Sequence, residues 1–160
     1  MTSLQTLDWP ALMASPQWAN VIGFPFSKLG EFNRAVPKRI AMRMIRGGQC
    51  TDESALFAEF STVLSPPEPL QSWVGLANEL VELPARASAQ RCALVIGDAG
   101  ALLPGDDEAF ARFCDIMDSV TREIPMRVLF QTPPFKYTGL RDRLRGALVV
   151  VRTWEPPEDM

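Results

Sequence analysis

Five consecutive apolar residues, Cys92-Ala93-Leu94-Val95-Ile96, most constrain this chain. A run that short and that uniformly apolar fits a strand buried on both faces, which is the place of a central strand in a largely parallel sheet. Its surroundings agree. Residues 40–45 (Ile-Ala-Met-Arg-Met-Ile) alternate as a strand and close on Gly47-Gly48. A helix follows, capped by Thr51 or Asp52, with Leu56, Phe57, Phe60, Val63 and Leu64 at helical spacing. The stiff elbow Ser65-Pro66-Pro67-Glu68-Pro69 separates it from a second helix over 71–83. After the apolar run, Phe110, Phe113, Cys114, Met117 and Val120 mark a helix over 108–124, and residues 127–131 form another strand. Residues 18–26 read as a short strand or extended segment, and Ser27 caps a short helix to about residue 35. A short helix over 139–144 and an edge strand over 147–152 close the order.

Helices alternating with short apolar strands predict an α/β fold, in two or three layers. The expected sheet is small and largely parallel, with about three core strands plus one or two edge strands, packed with helices. The 160 residues divide by expectation into an N-terminal preface (1–38), a central domain (39–131) and a C-terminal extension (132–160) with a frayed tail.

Histidine is absent, which removes the commonest general base and the usual zinc and haem ligands. Cys50, Cys92 and Cys114 are too widely spaced for a metal knuckle or redox pair and read as small buried hydrophobes. No GxGxxG or GxxxxGK[ST] loop occurs. Gly97-Asp98-Ala99-Gly100 follows a strand like a phosphate turn, without the downstream Lys and Ser/Thr. Asp106-Asp107-Glu108 reads as a helix cap and first turn rather than a metal site. No catalytic residue, metal or cofactor is expected, and the chain reads as a protein that acts by binding, not as an enzyme.

Net charge is −3, unevenly spread. Residues 52–123 carry thirteen acidic groups against four arginines, between two basic segments. That acidity disfavours a nucleic-acid binder, although Arg141, Arg143 and Arg145 form a basic cluster. The N-terminus lacks a basic, then apolar, leader, and no apolar run approaches the roughly 20 residues that span a bilayer. The expected location is the cytoplasm, with no membrane partner.

The middle of the chain resembles the barstar family of intracellular toxin inhibitors. Arg46-Gly47-Gly48-Gln49-Cys50 leads into a helix with Ala55-Leu56-Phe57-Ala58-Glu59-Phe60, and the proline elbow follows. Then Ser72-Trp73-Val74-Gly75-Leu76-Ala77-Asn78-Glu79-Leu80-Val81-Glu82-Leu83 is similar to the family's signature helix. Residues 94–103, Phe110 and Phe113, and residues 128–131 complete a resemblance over about 40–131. It implies an immunity protein or antitoxin that occludes the active site of a cognate bacterial toxin, such as a nuclease or ADP-ribosyltransferase, in a one-to-one complex. The alternative is a regulatory or scaffolding protein of the same fold without toxin binding. Val74 and Asn78 stand where the family carries two aspartates, so other groups must supply the charge. The implied partner-binding residues are Glu68, Leu70, Trp73, Val74, Gly75, Asn78, Glu79 and Glu82, with Asp115 and Asp118 on the following helix.

Overall fold

The computed structural model describes residues 9–25, 27, 34, 36–147 and 149–154. In chain order the elements are α1 (Trp9–Ala14), β1 (Ala19–Gly23), β2 (Ile40–Arg46), α2 (Glu53–Leu64), α3 (Trp73–Val81), α4 (Leu83–Arg86), β3 (Arg91–Gly97), α5 (Asp107–Glu123), β4 (Met126–Thr132), α6 (Tyr137–Gly146) and β5 (Val151–Trp154). Among the described residues these build one five-stranded sheet in the order β2-β3-β4-β1-β5, and every pairing is parallel.

The α/β expectation holds, and the apolar run is a central strand: Cys92 to Gly97 is buried throughout. Its five strands lie at the upper end of the expected three core plus one or two edge strands. β1, from the segment read as a preface, lies between β4 and β5, aligned Ala19↔Val128 on one side and Ala19↔Val151 on the other. β5, from the C-terminal extension, pairs only with β1.

The helix boundaries follow from local chemistry. Asp52 caps α2 by accepting from Ala55 N at 2.7 Å, and Glu53 sits in the favourable first turn. Ser72 and Asp106 cap α3 and α5 in the same way, at 3.0 Å each. The helix expected over 71–83 breaks at Glu82, and α4 begins afresh as one turn with Pro84 near its start. The edge strand starts later than its apolar run suggests. Ala147 N and Val149 N both donate to the Leu144 carbonyl, which extends the end of α6 and delays β5 to Val151. Helix α1 carries no expectation from the sequence. The helix expected after Ser27 lies almost wholly outside the described residues.

One face of the sheet presents Leu94, Ile96, Val128 and Phe130 to a core that also takes Leu56, Phe60, Leu76, Leu80, Phe113 and Met117 from the helices. The other face presents Ile22, Ala93, Val95 and Leu129 to Trp9, Leu12 and Met13 of α1. All three cysteines are free and buried, and burial pushes the thiols of Cys50 and Cys114 up to about 12. Among the described residues no helix is long and apolar enough to cross a membrane.

Candidate functional site

In a parallel sheet of this kind the helices flank the faces, and the carboxyl ends of the strands open toward a crevice. Three strand ends meet there: β1 at Gly23, β3 at Gly97 and β4 at Thr132. Gln131 ties them together. It is 1% exposed, and β4 lies between β3 and β1. Its Oε1 accepts from Asp98 N at 2.7 Å, and its Nε2 donates to the Phe24 carbonyl at 2.7 Å. Phe24 N donates to the Thr132 carbonyl at 3.0 Å. One buried amide therefore fixes the chain leaving both neighbouring strands.

Asp98 is held in the left-handed region, at φ 49° and ψ 52°, a conformation that Asp adopts more readily than most residues. Its carbonyl accepts from Ala101 N at 3.0 Å, closing a 3₁₀ turn over Ala99–Ala101. The turn after β2, Gly47–Gln49, packs against it. A Cβ on Gly47 would come within 2.6 Å of both the Gly97 and Asp98 carbonyl oxygens, so only glycine fits. Beside Gly47, Glu59 accepts from Arg46 through its backbone N (2.8 Å), Nε (3.0 Å) and Nη2 (2.8 Å). Glu59 is 4% exposed, and the hydrogen-bonded Arg46 guanidinium holds its carboxyl below the usual carboxylate range.

The chemistry of this edge is sparse. Asp98 is half-buried and offers one carboxylate. Among the described residues no group of three or more His, Cys, Asp or Glu side chains could hold a metal ion. The sequence after β1 reads Phe24-Pro25-Phe26-Ser27-Lys28-Leu29-Gly30, without the GK[ST] that grips phosphates.

The residues expected to bind a partner lie elsewhere, on and beside α3 and α5. Val74, Asn78 and Glu82 form an exposed stripe, with Val74 at 68%. Trp73 faces inward. Its Nε1 donates to Glu53 Oε1 at 3.2 Å and its ring meets Phe57 edge-on, with centroids 5.0 Å apart. Leu70 packs on the core, and its N donates to Ser61 Oγ at 2.9 Å. Gly75 is half-buried, and Glu68 and Asp115 are exposed. Glu79 is ion-paired with Arg86, and Asp118 with Arg122 at 2.9 Å. Sequence reasoning gave Gln131 no role and read Gly47 only as the close of a strand. A glutamine closing an otherwise apolar strand, and a Gly-Gly pair at a strand end, were the available signals.

No protein-family model matches the chain. No curated protein matches it either. Solved structures do. The Walker-type ATPase paby2304 of Pyrococcus abyssi superimposes with a TM-score of 0.60 at 16% identity, over 94% of this chain and 52% of that one. A structure of Drosophila ORC bound to AT-rich DNA and Cdc6 gives a TM-score of 0.53 at 13% identity, over 92% of this chain and 51% of that one. The chain thus spans about half the length of the structures it matches, and at these identities the likeness is one of fold.

These matches overturn the resemblance to the barstar family and the readings that hung on it. The toxin-occluding role, the one-to-one toxin complex, the alternative of a regulatory protein of that fold and the non-enzyme reading lose their support. So does the exclusion of nucleic acid as a partner, since one neighbour is a DNA-bound complex. The reason is physical. Residues 40–131 supply β2, α2, α3, β3, α5 and β4, an order that any parallel sheet with flanking helices can share. What distinguishes this sheet is β1 in its interior with β5 beside it, and both lie outside those residues. The fold is similar to that of the Walker-type ATPase of Pyrococcus abyssi.

Proposed function

We propose that this chain is a nucleoside-phosphate-binding domain whose ligand lies across the carboxyl ends of β1, β3 and β4. The observation that carries the reading is the sheet itself. An all-parallel order of β2-β3-β4-β1-β5 gathers three strand ends around Gly23, Asp98 and Thr132, and open α/β sheets bind ligands at that edge. The likeness to a Walker-type ATPase over 94% of the chain supports it.

The residues present bear on how the ligand would be held. Magnesium-assisted phosphate chemistry of the Walker kind uses a loop lysine, a loop Ser/Thr and an acidic residue from a neighbouring strand. Asp98 can serve as the acid. The GK[ST] pair is missing, so the set does not fit a complete magnesium–phosphate site. In this reading Asp98 stands beside the ligand, and Gln131 keeps the strand ends fixed around it. The exposed stripe of Val74, Asn78 and Glu82 is proposed as a contact surface for another chain or domain.

Calorimetric titration with ADP, ATP and GTP, each with and without magnesium, tests the reading. Saturable binding of a nucleotide that changes at least tenfold in Asp98→Asn is the expected result. Asn tolerates the left-handed backbone there, so the variant keeps the turn. Phosphate release measured in the same samples reports turnover. Absence of binding at millimolar nucleotide, in protein folded by circular dichroism, sinks the proposal.

A further inference from the structure

The opposite end of the sheet holds a cleft. It lies between α1 and the amino ends of β2 and β3, on the face that α1 covers. Trp9, Pro10, Met13 and Ile40 give it an apolar lining, and Arg39 and Arg91 stand at its rim. Its volume is about 310 Å³, at the lower end of the range for small-molecule sites.

The charges around it are unbalanced. Arg39 and Arg91 are exposed and make no ion pair or side-chain hydrogen bond among the described residues. Arg127 stands on the next strand, paired in register with Ala93. Its guanidinium donates to the backbone carbonyls of Ser15 (3.0 Å) and Met126 (2.8 Å), with no carboxylate among its partners. Burial first, and then the charge of Arg91, push its pKa down. Three guanidinium groups therefore share one sheet end without an acid partner among the described residues, in a chain with a net charge of −3.

We propose that this cleft binds a small organic anion with an apolar body, of the aryl or acyl carboxylate class. Trp9, Met13 and Ile40 contact the apolar body, and Arg39 and Arg91 take the carboxylate. Guanidinium groups match a planar carboxylate with paired donors. An inorganic anion would leave the apolar lining unfilled, and a neutral aromatic would leave the cations uncompensated. The site is separate from the nucleotide reading, because strands of this length put the two sheet ends roughly 20 Å apart.

Titration calorimetry with 1-naphthoate and its neutral analogue 1-naphthol tests it. Naphthoate is expected to bind at least tenfold more tightly than naphthol. That preference should disappear in Arg39→Gln/Arg91→Gln, whose substitutions are on the surface, and persist in Arg141→Gln. ADP should not compete with naphthoate, which separates failure here from failure at the carboxyl edge. Equal affinity for the two probes, unchanged naphthoate binding in the double variant, or no binding at millimolar naphthoate in folded protein overturns the proposal.

Discussion

At the carboxyl end of the sheet, Gln131 is bonded to chain on both sides of β4 and Glu59 takes three hydrogen bonds from Arg46. At the amino end, Arg39 and Arg91 stand in solvent beside an apolar cleft with no acid partner among the described residues. The same sheet thus has one end whose polar groups are consumed by the fold and one whose charges are left over. Groups bonded inside the fold hold strand ends in place and stabilise the native state. Uncompensated charges contribute little to stability and are open to a ligand. Substitutions in the bonded framework of the first end should therefore register as lost stability, and at the second end as lost binding.

Gly47→Ala should have the largest effect. Its Cβ meets two backbone oxygens at 2.6 Å, and backbone cannot swing aside as a side chain can. A loss of about 3 kcal/mol or more in urea unfolding is expected. Gly48→Ala, whose Cβ would find nothing nearer than Asp98 Oδ2 at 3.9 Å, is the matched control and should cost under about 1 kcal/mol. Equal losses at the two positions would remove the close approach as the cause.

Gln131→Leu comes next. It fills similar space but strips Asp98 N–H and the Phe24 carbonyl of their amide partner, at about 2–4 kcal/mol. A loss under 1 kcal/mol would mean that the strand ends do not depend on that amide.

Glu59→Gln should cost about 1–2 kcal/mol, limited because the Arg46 side chain is 61% exposed and partly screened. Its sharper signature is in pH. The folded-state pKa of Glu59 lies below its ordinary 4.5, so its contribution is complete above that value and fades as pH falls through the folded pKa. Urea midpoints measured from pH 7 to pH 3 should fall less steeply in the variant than in the parent. Parallel curves would refute the linkage.

Arg91→Gln should be the mildest change, within about 0.5 kcal/mol, and slightly stabilising if relief of its repulsion toward Arg127 outweighs lost packing. A large loss of stability would show that the amino end is tied into the fold after all, and the contrast between the two ends would fail.

Much of the fold was legible in particular residues. Cys92 to Ile96 announced a strand buried on both faces. Asp52 and Asp106 marked two helix starts, and Phe110, Phe113 and Met117 marked the inward stripe of α5. Helix α1 escaped notice because six residues are too few for a periodicity. The start of β5 was misplaced because an apolar run does not tell a strand from the end of a helix. The candidate site was scarcely legible. Gln131 looks unremarkable until β3 and β1 flank it, and Gly47 until the turn after β3 lies against it.

By itself the sequence determined most of the element types and boundaries and the parallel α/β class, because periodicity, capping and turn chemistry act over a few residues. Tertiary structure decided the strand order and, with it, the kinship of the fold. Burial patterns report that a strand is covered, not which strands cover it. Ala19–Gly23 and Met126–Thr132 are more than a hundred residues apart in the chain, and only long-range pairing makes them neighbours.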